Sequence, residues 1–298
     1  MNTLGISVNG NYSVILFDDG TKIRSGNVSK FIPEKPESID LKITNMCDMN
    51  CPFCHERSLT DGEHGDIMNL KFLDTLLPYT ELAIGGGNPL AHPQLVEFLE
   101  LLKSKKLVAN MTVHLRHFMN NIELIKWLSK RGLIHGIGVS LATVTSEEID
   151  AIKSVPNTVI HVINGVVDIN SMSGMAHRGL KILILGYKNW GRGTSYRFNS
   201  FYVHDRMSLM HAYIKTIIRD GWFETISFDN LAIDQLDIRD VLSPEEFNKM
   251  YMGDDGQFTM YIDTVNRKFA ISSTSPTRFS LTDDIVEMFQ VVKRDAKT

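Results

Sequence analysis

The chain contains very few cysteines: three in 298 residues, Cys47, Cys51 and Cys54, all within eight consecutive positions. An odd, clustered set of this kind does not make a disulfide framework. In a reducing compartment, close cysteines are instead typical of metal ligation or redox chemistry. No other cysteine is present, which excludes a second metal site built from cysteines of this chain.

Long apolar runs, basic blocks and low-complexity tracts are also absent. No run approaches the roughly 18 apolar residues that span a membrane, and residues 1–7 lack the features of a signal peptide. A net charge of −4 gives no electrostatic basis for binding duplex nucleic acid or an anionic membrane. We therefore expect a cytoplasmic protein, whose 43% hydrophobic residues can form a sizeable core.

Residues 1–36 are predicted to form a small N-terminal β-hairpin. Two short apolar runs, Ile6–Val8 and Ser13–Phe17, are separated by Gly10-Asn11, a dipeptide typical of hairpin turns. Proline residues at positions 33 and 36 then mark a break in the chain.

Residues 37–195 alternate between strand and helix patterns. Repeated βα units of about 25 residues predict a parallel sheet with helices outside, and six units suit a partial (β/α)6 barrel of the TIM-like kind. In such a fold the site lies at the carboxyl ends of the strands. The six predicted strands are Ile39–Met46, Leu82–Ile84, Val108–Leu115, Ile134–Leu141, Thr158–Ile163 and Leu180–Gly186. Between them, helices are predicted at Asn69–Leu77, His92–Ser104, Asn121–Lys130, Ser146–Ile152 and, as a short one, Val166–Met172.

Residues 196–298 mix weaker helix and strand patterns, and we interpret them as an α+β C-terminal extension packed on the barrel. Helices are predicted at Asp205–Arg219, Pro244–Tyr251 and Asp283–Val292, and strands at Phe223–Phe228, Phe258–Ile262 and Lys268–Ser272.

The cysteines have the spacing C-x3-C-x2-C and follow the first predicted strand. An iron–sulfur cubane takes four ligands, so three thiolates would leave one iron open to a small molecule. The alternative is a structural zinc site with His55 or His64 as fourth ligand. In structural zinc sites, however, the ligands more often form two pairs that are separated by a longer loop.

This spacing after the first strand of a βα series resembles the radical S-adenosylmethionine (SAM) superfamily, as does an aromatic residue, Phe53, before the last cysteine. The resemblance covers roughly residues 38–190. It implies that Cys47, Cys51 and Cys54 hold a [4Fe–4S] cluster whose fourth iron is chelated by SAM. One electron, from a donor such as flavodoxin or ferredoxin, would cleave SAM to a 5′-deoxyadenosyl radical that abstracts hydrogen from a substrate.

The second strand is followed by a segment similar to the family's Gly-Gly-Glu-Pro element, which contacts the amino group of SAM. Gly86, Gly87, Asn88 and Pro89 match it in position, with Asn88 in place of the usual glutamate. At the end of the fourth strand, Ser140 matches the position of a SAM ribose ligand; a strand-end serine bonded to backbone is the alternative.

The fifth strand resembles the family's Gly-x-Ile-x-Gly-x-x-Glu element near the adenine. Ile163 and Gly165 match, Asp168 stands where the glutamate would be, and His161 replaces the first glycine. These matches imply that Ile163, Gly165 and Asp168 contact SAM.

After the sixth strand, Leu185 and Gly186 match the backbone that meets the adenine edge in the family. The following segment, residues 187–193, is rich in glycine and aromatic residues, and is either a gate over the substrate or an ordinary surface loop. At the end of the third strand, His114 and Arg116 are candidates for contacts with SAM or a polar substrate.

The sequence indicates the substrate less clearly than the cofactors. A peptide is our first choice, because the N-terminal hairpin and the C-terminal extension offer strand edges for β-augmentation. A nucleotide comes next, and activation of a glycyl-radical enzyme is a third option. The alternative from another class is a zinc- or cluster-bearing binding module without catalysis.

Overall fold

The structure, a computed structural model, describes residues 1–297 and is built on a ten-stranded sheet. In sheet order the strands are β10 (Thr225–Phe228), β9 (Lys181–Leu185), β8 (Thr158–Ile163), β7 (Gly136–Ser140), β6 (Val108–His114), β5 (Glu81–Gly86), β4 (Ser38–Thr44), β11 (Thr259–Asp263), β12 (Lys268–Ala270) and β13 (Phe279–Ser280). Strands β4 to β9 are the six predicted ones, and each is parallel to its neighbours. The prediction of an α/β fold with a parallel, partial barrel is confirmed.

Helices connect the strands of the arc, and the longer ones bury an apolar face. In the first long helix, for example, Leu95, Phe98, Leu99 and Leu102 repeat at helical spacing and are all buried. The helices are α1 (Leu95–Ser104), α2 (Leu115–Asn120), α3 (Ile122–Lys130), α4 (Ser146–Lys153), α5 (Ile169–Met175), α6 (Arg192–Asn199), α7 (Phe201–Arg219), α8 (Asn230–Gln235), α9 (Ile238–Val241), α10 (Pro244–Met250) and α11 (Ile285–Asp295). Within residues 1–297, none of the helices combines the length and hydrophobicity needed to cross a membrane.

Some local predictions differ from the structure. The helix predicted at Asn69–Leu77 is a 3-10 helix over Lys71–Thr75, and α2 was not predicted because its residues were assigned to a strand end and a loop. The helix predicted at Ser146–Ile152 is α4, and its N-cap is Thr145. The Thr145 hydroxyl accepts from the Glu148 N–H, and the Glu148 carboxylate accepts from the Thr145 N–H, which completes a capping box.

The C-terminal segment contributes strands to both sides of the six-stranded arc. Strand β10 pairs in parallel with β9, and β11 pairs in parallel with β4 across more than 200 residues of sequence. Strands β12 and β13 then continue antiparallel. The α+β extension therefore widens the main sheet, and the division into domains at residues 36 and 195 stays a prediction.

The N-terminal segment forms a separate antiparallel sheet of three strands, β1 (Thr3–Asn9), β2 (Tyr12–Phe17) and β3 (Lys22–Ser25). The predicted hairpin is β1 and β2. The third strand, Lys-Ile-Arg-Ser, has no apolar run that would have marked it in the sequence. Strand β2 turns Tyr12, Val14 and Leu16 inward, where they are buried.

Strand β4 shows how the interior of the arc becomes polar. Its residues alternate, and Ile39, Leu41 and Ile43 are buried in the main hydrophobic core. Because successive strand residues point to opposite faces, Asp40 and Lys42 face the other side, where both line a cavity inside the arc. The concave face of the sheet therefore holds the candidate site.

Candidate active site

The cavity has a volume of about 430 Å³ and opens at the carboxyl ends of the parallel strands. All three cysteines line it. The sequence-predicted residues that the structure brings together there are Cys47, Cys51, Phe53, Cys54, Gly86, Gly87, His114, Ser140, Ile163 and Leu185. They come from the loop after β4 and from the ends of β5, β6, β7, β8 and β9, as expected for this fold.

The cysteines lie on a loop that leaves β4 and returns beside it. The Cys47 N–H donates to the Leu59 carbonyl over 2.8 Å, and the Gly65 N–H donates to the Ile43 carbonyl over 2.8 Å. A tight turn places the Cys54 N–H on the Cys51 carbonyl at 3.2 Å. These backbone bonds hold the three thiols at the cavity without help from regular secondary structure.

The three thiols are free and half-buried. Burial raises the pKa of Cys47 and of Cys51, while the nearby Arg192 guanidinium opposes that rise at both residues. Because thiolates are the form that binds metal, iron binding here would release protons, and the positive charge of Arg192 favours that release.

The three cysteine sulfurs do not all lie within 4.8 Å of one another. Within residues 1–297, the one set of three His, Cys, Asp or Glu ligand atoms within 4.8 Å of one another is Cys47, Asp48 and His117. Sulfurs on one tetrahedral zinc ion lie roughly 3.8 Å apart, given Zn–S bonds of about 2.3 Å. The wider spread of the three sulfurs fits a multi-iron cluster better than zinc.

The histidines considered as a fourth zinc ligand have other partners. His64 Nδ1 is 2.8 Å from the Thr44 hydroxyl. His55 Nε2 lies 3.4 Å from Glu56 and 3.5 Å from the Lys188 ammonium. Asp48 is likewise engaged, because His117 lies 2.5 Å from its carboxylate and lowers its pKa.

Arg192, the first residue of α6, fastens the cysteine loop to the end of the barrel. Its Nε donates to the Cys51 carbonyl over 3.0 Å and its Nη1 donates to the Ser58 carbonyl over 3.0 Å. Its backbone N–H donates to the Cys54 carbonyl over 3.0 Å. The segment predicted as a gate or surface loop thus holds the cysteine loop directly, a role that an isolated Gly-Arg-Gly in the sequence does not reveal.

The glycine run after β5 packs against the same loop. The Gly87 N–H donates to the Thr44 carbonyl and the Asn88 N–H donates to the Met46 carbonyl, both over 2.7 Å. A Cβ at Gly87 would lie 2.2 Å from the Met46 carbonyl oxygen. Gly86 has a φ of +107° and a Cβ there would lie 2.4 Å from the Thr44 carbonyl oxygen. These glycines permit two loops to approach closely at the cavity's edge.

The remaining predicted residues do not line the cavity. Asp168 caps α5, with its carboxylate accepting from the Ser171 N–H over 2.8 Å. Gly186 donates its N–H to the Asp229 carboxylate over 2.8 Å, and the space beside Gly165 is filled by α7 side chains. Asn88 caps a 3-10 helix whose first residue is Pro89, which is buried.

The ends of β6 and β8 add further titratable groups. His114 lines the cavity and its Nδ1 accepts from the Arg116 N–H over 3.1 Å, whereas Arg116 is exposed and does not line the cavity. Burial lowers the pKa of His114 and lowers that of His161 to about 4. Both imidazoles are therefore neutral near pH 7.

An ionic network on β4 and β11 was missed by the sequence reasoning. Lys42 Nζ lies 2.8 Å from the Glu56 carboxylate and 3.2 Å from that of Asp263, and the Tyr261 hydroxyl donates to Glu56 over 3.1 Å. Burial alone would raise the pKa of Glu56, but His55 and Lys42 hold it well below its usual range. The polar residues alternating along β4 were the available signal.

Apolar side chains also line part of the cavity. Phe53 and Ile163 pack on a small cluster of buried residues that includes Val166 and Val203. The Phe53 ring also meets Tyr196 edge to face, with ring centroids 5.9 Å apart. Such an apolar lining can cover the flat face of a ring and exclude water from it.

Residues 41–168 match the model of the Radical SAM superfamily. The chain therefore carries a radical SAM domain. This domain performs enzymatic radical chemistry whose cofactors are a [4Fe–4S] cluster and SAM. The donor set at the cavity, three free thiols on one loop, fits this cluster.

Comparison with solved structures finds the same fold. The crystal structure of Streptococcus suis SuiB bound to S-adenosylmethionine aligns with a TM-score of 0.62 and a sequence identity of 12%. The alignment covers 98% of this chain and 88% of the SuiB chain. The crystal structure of SuiB bound to precursor peptide SuiA is 12% identical, covers 90% of this chain and 68% of its own, and gives a TM-score of 0.60. No match was found among curated proteins.

Proposed function

We propose that Cys47, Cys51 and Cys54 hold three irons of the cluster and that the chain uses the radical reaction to modify a peptide. The observation that carries the first half is the placement of three free thiols on one loop at the cavity. When bound, the cluster supplies the electron that cleaves SAM to methionine and a 5′-deoxyadenosyl radical.

The chain's own residues would orient SAM and exclude water from it. SAM would lie across the strand ends, with Gly86 and Gly87 near its amino group, Ser140 near its ribose and Ile163 beside its adenine. In this arrangement the Leu185 backbone meets the adenine edge. Asn88, Pro89, Gly165, Asp168 and Gly186 would support these contacts from behind, since they shape the loops without lining the cavity.

A free strand edge supports a peptide substrate. Strand β1 is paired on one side, with β2, and its other edge has no strand partner in the described part of the chain. Its outer face exposes Leu4, Ile6 and Val8 by 37%, 58% and 67%. An extended peptide can pair with such an edge and place apolar side chains on that face, and SuiB, which shares the fold, was crystallised with a precursor peptide.

The peptide proposal can be tested with cell extract. Anaerobically reconstituted protein, SAM and dithionite should change the mass of a peptide in the small-peptide fraction of the source cells, with 5′-deoxyadenosine formed alongside. The double variant Ile6→Lys/Val8→Lys should reduce peptide conversion about tenfold or more, because a charged edge resists strand pairing. The matched control is Val28→Lys, at an exposed apolar residue outside the strands.

Two results would contradict this proposal in different ways. Mass changes confined to nucleotides or other small molecules would exclude the peptide while leaving SAM cleavage intact. Equal peptide conversion by the edge variant and the control would show that β1 does not receive the substrate.

Arg192 gives a second test, directed at the cluster. The change Arg192→Gln removes the guanidinium bonds to Cys51 and Ser58, and loss of an outer-shell support typically weakens metal binding roughly 10- to 100-fold. We expect iron to leave the variant correspondingly faster in a chelator, as followed by cluster absorbance. Arg197→Gln, on the same helix but exposed, should retain iron like the unmodified protein. Equal retention by both variants would remove Arg192 from the support of the cluster.

A further inference from the structure

The junction of α6 and α7 exposes an unusual group of aromatic residues. Phe198 and Phe201 are each 91% exposed, and Tyr202 is 70% exposed. Leu209 and Tyr213 continue the patch along α7 at helical spacing and are 43% and 45% exposed. We call these five residues the aromatic surface. Contiguous exposed apolar residues of this kind mark interaction sites.

The aromatic surface begins on α6, the helix that contacts the cysteine loop. Helix α6 begins at Arg192, which bonds to the Cys51 and Cys54 carbonyls, and its Tyr196 packs on Phe53. Phe198 is six residues after Arg192, a rise of about 9 Å along the helix axis. A protein bound to the aromatic surface would therefore come close to the three cysteines.

The same segment is locally cationic in an acidic protein. Residues 192–219 carry five Arg or Lys residues and one Asp, a net charge of +4, whereas the whole chain has a net charge of −4. Arg197, next to Phe198, is exposed. Charge of one sign around an apolar patch steers a partner of the opposite sign toward it.

We propose that the aromatic surface is the docking site of a small acidic electron-transfer protein that reduces the cluster. This inference rests on the proposed placement of the cluster at Cys47, Cys51 and Cys54. The chain has no other cysteine to hold a relay cluster, so the electron must come directly from outside. The reduced carrier loses one electron and the cluster gains it, with no bond made or broken.

Proximity and charge favour this partner over the peptide. Electron tunnelling rates fall steeply with distance. The carrier must therefore bind close to α6, which contacts the cysteine loop. Electron-transfer encounters use small, charge-matched interfaces, which suits a patch of five side chains with cations beside it. The peptide has a better-matched surface at the free edge of β1.

The test compares two reductants, with a bacterial flavodoxin as the acidic carrier. The variants Phe198→Ser/Phe201→Ser and Arg197→Glu should each lower flavodoxin-driven 5′-deoxyadenosine formation about tenfold or more, while dithionite-driven formation stays within about twofold. Rising salt should slow the flavodoxin reaction of the unmodified protein. Trp127→Ser, at a 41% exposed aromatic residue on α3, is the matched control and should change neither rate.

A direct binding measurement separates failure of this inference from failure of the proposed function. Titration of flavodoxin with the protein, followed by flavin fluorescence, should show weaker binding for Arg197→Glu than for Trp127→Ser. Unchanged flavodoxin rates and binding in the variants would overturn the docking site and leave a peptide or a second copy as the occupant. Absence of dithionite-driven product in the unmodified protein would instead contradict the cluster placement, and the binding measurement would still decide the docking.

Discussion

Replacing Cys51 with alanine is expected to abolish 5′-deoxyadenosine formation with SAM and dithionite. With one of its three thiolate ligands removed, the cluster cannot be held with a single open iron for SAM. The loop is fixed by backbone bonds such as that between Cys47 and Leu59, so most of the fold should persist. Product measured by chromatography, iron content and circular dichroism together check this prediction.

The unmodified protein should be brown and carry about four irons per chain, as expected of one [4Fe–4S] cluster. Pro52→Ala is the matched control, since Pro52 is an exposed residue of the same loop and has no ligand atom; it should keep its iron and its activity. Continued SAM cleavage by Cys51→Ala would refute the ligand assignment. One equivalent of zinc and no iron in the unmodified protein would refute the cluster altogether.

The repeating part of the fold could be predicted because its signals are local. Helix α1 shows its apolar spacing within ten residues, and the strands of the arc are short apolar runs placed between helices. The cysteine loop was also legible, because C-x3-C-x2-C is confined to eight positions. Each of these features depends on residues close together in the chain.

Features that depend on distant segments could not be predicted in this way. Strand β11 looks like any short apolar strand, and nothing in its sequence indicates pairing with β4 more than 200 residues earlier. The roles of Arg192 and Glu56 also depend on contacts between distant segments, since their partners come from other elements. The interior of a partial barrel admits polar side chains, so an apolar pattern alone does not reveal its residues.

The pairing of β4 with β11 places the buried Lys42 ammonium between two carboxylates at the cavity wall. Its ammonium is the shared partner of Glu56 and Asp263, and the three side chains are only 5%, 11% and 6% exposed. Asp263 lies directly across from Lys42 in the parallel register, while Glu56 comes from the loop just after Cys54. The Lys42 ammonium therefore connects strand β4, strand β11 and the cysteine loop.

The change Lys42→Met is therefore expected to lower the free energy of unfolding by about 3–5 kcal/mol, because it leaves two buried carboxylates without their counter-ion. Urea unfolding followed by circular dichroism measures the loss. Lys71→Met is the matched control: Lys71 pairs with Asp283 at 3.0 Å, but the side chains are 76% and 62% exposed, so the change should cost no more than about 1 kcal/mol. Equal losses of unfolding free energy for both variants would mean that the Lys42 network is solvated and does not hold β11 against β4.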